Sequence, residues 1–227
     1  MNYNRLMSKL KFYRYDITDK DFEDLKSLNT LSFDVESMGL NLHYARLCLI
    51  QIYFPEIDTT YMVHFPANDH APINRMYKLS INLVKLLKLK SIKKIAHYAR
   101  FDCLAIKKYL GVTLENIVCT KIMSQACRTY SEKHGLKDLC KELLNINIDK
   151  TNQTSDWGAE ELTDSQKSYA MNDVIYLHIL YDKLLEICKR ENKLEIAKEM
   201  FKCIIPFVNV ENYGFNPSKI IDPFGYK

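Results

Sequence analysis

The sequence predicts an α/β protein: a mixed five-stranded sheet flanked by helices, with a helical C-terminal part. Three observations point to it. Residues 31–40 open with Leu31, Phe33 and Val35 alternating against Ser32, Asp34 and Glu36, the two-residue period of a half-buried strand. Two more β-rich runs follow at short distances, the pattern of a meander. Strand and helix signals then alternate, and residues 121–210 read as helical, an order that covers a sheet with helices.

In chain order, Thr18 or Asp19 caps a first helix with Phe22, Leu25 and Leu28 on one side. The strand of residues 31–40 ends at Ser37-Met38-Gly39, where Gly39 is free to turn. A second strand occupies residues 45–54 and stops at Pro55; a third occupies residues 61–65. After a loop at 66–72, apolar residues recur at helical spacing over 73–89. Residues 95–97 form a fourth strand, 101–110 a helix closed by Gly111, and 117–119 a fifth strand. The helical remainder breaks at Gly135, at the polar segment 145–158 and near Arg190. The tail, 212–227, is expected to be irregular and docked by its aromatics.

A length of 227 residues with 47% hydrophobic and 26% charged content is that of an ordinary globular chain, and no linker-like stretch divides it, so one domain over 1–227 is expected. The net charge of +4 neither demands nor opposes a nucleic-acid partner. The seven cysteines are odd in number and scattered, with no Cys-x-x-Cys pair, which argues against a zinc or redox motif and fits reduced thiols in a cytoplasmic protein. The first twenty residues lack the apolar core of a signal peptide, and no run reaches the length of a membrane span.

The acids carry the chemistry. Asp34 and Glu36 share one strand face, one pleat apart, with no Lys or Arg in that stretch. They are either two solvated acids or the oxygen ligands of a divalent cation at the carboxyl end of a strand, where α/β sheets bind ligands. Asp102 falls in the first turn of a helix, which suits both a helix-start residue and a site residue. Thr163 and Gln166 form a capping box for a late helix that carries Tyr169 and Asp173 four residues apart on one face. The stripe of Ala170, Val174 and Leu177 sets Asp173 beside the core, an unusual place for an unpaired acid. Four acids from three segments, once converged, have one evident use. They hold two divalent cations about 4 Å apart for phosphodiester cleavage, with a phenol one turn away to orient or deprotonate the water.

Asp34-Val-Glu36, His97 through Asp102 and Tyr169-x-x-x-Asp173 follow the order and approximate spacing of the three exonuclease motifs of the DEDDy class. The chain resembles ribonuclease D, in particular its short bacterial form, over most of its length. The likeness includes Glu36-Ser-Met-Gly-Leu40, Arg46-Leu-Cys-Leu-Ile-Gln51, His134-Gly-Leu-Lys-Asp-Leu139 and Gln153-Thr-Ser-Asp-Trp157. The resemblance implies a ribonuclease-H-like exonuclease fold, with a catalytic core over about 15–190 and a C-terminal helix and tail over 191–227. It implies 3′→5′ hydrolysis at RNA 3′ ends, such as those of transfer-RNA precursors, with two Mg2+ or Mn2+ ions and release of nucleoside 5′-monophosphates. Asp34 would bridge the metals. Glu36 and Asp173 would complete one site, and Asp102 would support the other, directly or through water. Tyr169 would be the general base or water-orienting residue. Met38, Gly39 and Leu40 would contact the terminal nucleotide, His97 and Phe101 would line the cleft, and Gln153 and Trp157 would approach it.

Two departures bear on substrate. Many relatives carry Asn after the motif histidine, where this chain has Tyr98. One further helix and a tail stand where longer ribonuclease D proteins carry helical domains, which implies a weaker grip on structured RNA. Trp157 is either a base-stacking residue, worth about 1–3 kcal/mol per base, or a core anchor. Lys85, Lys88, Lys90, Lys93 and Lys94 are either a solvated face or a phosphate-steering run. A DNA-trimming exonuclease and a non-catalytic binder remain as alternatives, though the intact set of four acids and Tyr169 speaks against the binder. The sequence sets neither the oligomeric state nor the choice of metal.

Overall fold

The computed structural model describes residues 8–42, 45–67, 77–149 and 151–217. Its strands are β1 (Lys9–Arg14), β2 (Thr30–Ser37), β3 (Leu47–Phe54), β4 (Thr59–His64), β5 (Lys93–Ala96) and β6 (Ile117–Cys119). They form one six-stranded sheet in the order β1-β4-β3-β2-β5-β6. β3 runs antiparallel to its neighbours β2 and β4; the other pairings are parallel. The meander is therefore β2-β3-β4, as expected.

The expected count of five strands is one too few. The extra strand, β1, reads Lys-Leu-Lys-Phe-Tyr-Arg and lies at the sheet edge, paired to β4 and mostly exposed or half-buried. Charged residues on an edge strand guard against pairing with other chains, and the same charges hid the strand within a polar first twenty residues. β3 is the opposite case. All eight of its residues are buried, because it lies inside the sheet with covering on both faces.

The helices are α1 (Asp19–Leu25), α2 (Ile81–Leu87), α3 (Arg100–Leu110), α4 (Thr120–Cys127), α5 (Leu136–Leu139), α6 (Asp164–Arg190), α7 (Leu194–Lys202) and α8 (Ile204–Asn212). Thr18 caps α1 in a capping box with Asp21. Gly111 closes α3 at φ +66°, a left-handed position that suits glycine. The helix expected over 73–89 is a 3-10 turn at Tyr77–Leu79 followed by α2; residues 73–76 lie outside the described residues. α6 has 27 residues and so runs about 40 Å. It crosses the sheet and carries α4, α5 and α7 on its flank.

The alternation in β2 sorts the two faces. Leu31, Phe33 and Val35 enter the larger core with Leu83 of α2, Cys103 and Ile106 of α3 and Val208 of α8. The opposite face carries Leu49 and Tyr53 of β3 against α6, and Asp34 and Glu36 point to this side. One expectation fails here. Lys94 is not part of a solvated run: it is fully buried, and its ammonium donates to the carbonyls of Leu89, Ile92 and Glu115. Of the tail expected to dock by its aromatics, the described part leaves Tyr213 and Phe215 exposed, while Phe224 and Tyr226 lie outside the described residues. Residues 218–227 lie outside the described residues. No described helix is long and apolar enough to cross a membrane. All seven cysteines are free thiols.

Candidate active site

Three segments converge at the carboxyl ends of β2 and β5, the edge where α/β sheets bind ligands. β2 brings Asp34 and Glu36 on the α6 face, and its ladder shifts register between Glu36 and Ser37, which turns the strand end outward. The middle of α6 brings Asp173, buried as its stripe requires, with Tyr169 one turn earlier. The first turn of α3 brings Asp102. Carboxylate oxygens of Asp34, Glu36 and Asp173 all lie within 4.8 Å of one another. Three carboxylates that close repel, and a hard divalent cation is the partner whose chemistry fits an all-oxygen donor set.

Asp102 stands behind this trio. It is buried, it accepts from the Val35 N–H at 3.1 Å, and it reaches the Asp34 carboxyl. Burial pushes its carboxyl up to about 7. Tyr169 is pushed up from the ordinary phenol value, by burial first and then by the charge of Asp173 and Glu36. Its hydroxyl is hydrogen-bonded to Asp173, so without metal it keeps its proton and donates it to the acid.

The remaining expected residues line the same cleft, which encloses about 610 Å³. Met38, Gly39 and Leu40 form the loop after β2; Gly39 turns at φ +140°, and Leu40 is 88% exposed. His97 lies just beyond β5 with Nδ1 at 2.9 Å from the Thr120 hydroxyl, and Phe101 follows in α3. Gln153 and Trp157 come from the segment before α6. The two readings of Trp157 are now separated. It is 1% exposed and its ring packs on Tyr169 at 5.8 Å between centroids, so it is a core anchor behind the phenol. Gly158 lets that segment close down: a Cβ there would stand 3.0 Å from the Met38 sulfur and 3.3 Å from Ala67.

Sequence reasoning missed two residues. Gln51 faces Asp34 across the β2–β3 ladder and donates from Nε2 to Asp34 Oδ2 at 2.7 Å. Its signal was available, since it is a polar residue inside the apolar run Leu47–Phe54. His64 of β4 holds the Trp157 carbonyl at 3.1 Å and fixes the segment that covers Tyr169.

A family model described as 3′-5′ exonuclease matches residues 13–189. A solved structure of Brucella melitensis NrnC bound to pGG is 35% identical. It covers 96% of this chain and 99% of that one at a TM-score of 0.82. The same protein with bound Mg2+ is 34% identical, with coverage of 96% and 100% and a TM-score of 0.82. These neighbours bear out the expected exonuclease fold of the ribonuclease-H type. Ribonuclease D of Jannaschia sp. (strain CCS1) is 25% identical over 188 residues, which is 82% of this chain and 46% of that protein. The chain thus spans about half the length of the ribonuclease D sequences it matches.

Proposed function

We propose, for a chain that belongs to the 3′-5′ exonuclease family, that it is a metal-dependent exoribonuclease that removes nucleoside 5′-monophosphates from RNA 3′ ends. One observation carries this reading: oxygens of Asp34, Glu36 and Asp173 within 4.8 Å of one another, in a cleft that also holds Asp102 and Tyr169. Two bound divalent ions, Mg2+ or Mn2+, would activate the attacking water and stabilise the leaving oxygen. Asp34 is central, with Glu36 and Asp173 on one side and Asp102 on the other, so it suits a shared ligand. Gln51 fixes which Asp34 oxygen faces the cleft. Tyr169, hydrogen-bonded to Asp173 one helical turn away, is placed to orient or deprotonate the water.

The loop of Met38, Gly39 and Leu40 offers apolar contacts to the terminal base, with Phe101 and His97 across from it. The binding of pGG by the Brucella relative supports short RNA ends as substrate, and transfer-RNA precursors fit the likeness to ribonuclease D. Free thiols throughout support a reducing compartment such as the cytoplasm, and residues 1–227 are taken to act as one catalytic domain.

The test is a 5′-labelled single-stranded RNA with a free 3′ end, incubated with Mg2+, with Mn2+ and with chelator, beside a DNA strand of the same sequence. A ladder of 3′-shortened RNA that disappears with chelator is expected. Faster trimming of the DNA would reassign the substrate. Binding without trimming in either metal would leave only a nucleic-acid-binding module.

A further inference from the structure

A second cavity of about 480 Å³ opens beside the cleft and shares Leu40, Tyr98 and Phe101 with it. Its other wall runs along α3, from Arg100 to Lys108, and meets the end of α8 at Glu211. Tyr98 stands on the boundary. It is 45% exposed and sits at φ +65°, a conformation that an aromatic residue rarely adopts. Two cations converge on it. Lys121 Nζ lies 4.2 Å from its ring centroid, and Arg100 donates to its hydroxyl at 3.1 Å.

The other arm of the Arg100 guanidinium meets Glu211 at 2.9 Å. Glu211 is in the last turn of α8, where the helix dipole disfavours negative charge. Both partners keep about a quarter to a third of their side-chain surface in solvent, and pairs of that kind contribute little stability. A guanidinium fork that receives a carboxylate receives a phosphate in the same geometry.

Resting on the nuclease reading of the neighbouring cleft, we propose that this second cavity binds a phosphodiester of the RNA strand upstream of the terminal nucleotide. Glu211 is its built-in competitor. In the free protein Glu211 occupies Arg100; an incoming strand exchanges phosphate for carboxylate there, while Lys121 on Tyr98 adds positive charge beside the path. On this reading a mononucleotide held in the first cleft leaves the second cavity unused, so the second cavity adds affinity only for a chain.

The test measures binding of a five-nucleotide adenylate RNA and of AMP by calorimetry, in Ca2+ to hold back hydrolysis. The ratio of the two affinities is the readout. Glu211→Gln should raise that ratio about two- to fivefold, the value of one partly exposed ion pair. Arg100→Gln should lower it and flatten the salt dependence of pentanucleotide binding by a slope of about 0.7, the loss of one phosphate contact. Arg100→Lys, which keeps the charge without the fork, should fall between. Ratios equal to wild type in both Glu211→Gln and Arg100→Gln would overturn the inference, as would a lowered ratio in Glu211→Gln. Trimming of the same pentanucleotide in Mg2+ by the unaltered protein reads the nuclease assignment separately. Altered ratios with no trimming would remove that assignment and leave the phosphate site standing.

Discussion

The site depends on where single atoms are held. Gln51 spends its amide N–H on Asp34, while its Oε1 is buried without a hydrogen-bond partner. Gln51→Leu removes the donor and the stranded carbonyl together, so the fold should tolerate it. Its Mn2+ affinity should fall about 10–100-fold, the usual cost of losing an outer-shell partner of a metal ligand; calorimetry measures it, and unchanged affinity would make Gln51 structural. Tyr169→Phe should lower the trimming rate about 10²–10⁴-fold while RNA affinity stays near wild type. Equal loss of both would make the phenol a binding group. At this scale the sequence was informative where spacing fixes direction. The two-residue period put Asp34 and Glu36 on one face, and the four-residue step did the same for Tyr169 and Asp173. Gln51 stood out by type, as a polar residue in an apolar run, but its partner was not legible, because the register of β2 against β3 is set by no local period. Trp157 stayed ambiguous for a related reason: only the tertiary packing shows which side of Tyr169 its ring occupies.

Among the elements, β4 makes the clearest pH prediction. A carbonyl oxygen can only accept, so His64 Nε2 carries the hydrogen given to Trp157, and Nδ1 is buried without a partner. Burial lowers its pKa from the ordinary 6.5. The unfolded chain therefore takes up a proton below 6.5 that the folded chain refuses. Stability is full above that value and falls as pH drops through it, until the folded imidazole also protonates. In His64→Gln, which keeps a donor for Trp157, urea unfolding between about pH 7 and 5 should show less loss than in wild type. An identical loss would place the titration elsewhere. Element boundaries were legible where caps are chemical: Thr163 with Gln166 opens α6 and Gly111 closes α3. β1 was hidden because an edge strand and a polar terminus share a composition.

For the molecule as a whole, the topology gathers like charges at one place in exchange for function. β2, α3 and α6 are anchored in different parts of the core and are aimed at one point, so repulsion among the acids is built into the fold. Glu36→Gln should therefore stabilise the metal-free protein by on the order of 1 kcal/mol, read from denaturant unfolding in chelator, and the gain should shrink when Mn2+ is added. A loss of stability in chelator would mean that Glu36 serves the fold rather than a cation. The general architecture was legible because the meander, the alternating strands and helices and the long capped helix occur in that order along the chain. The strand order and the second cavity were not, since both arise from contacts between segments far apart in sequence.

The decisive measurement is a calorimetric titration of Mn2+ into the protein with AMP present, alongside Asp34→Asn. Two ions per chain for the unaltered protein, with both lost or greatly weakened in Asp34→Asn, are predicted for an Asp34 shared between two sites. An absence of Mn2+ binding, or the same stoichiometry and affinity in Asp34→Asn, would contradict a metal centre built on Asp34.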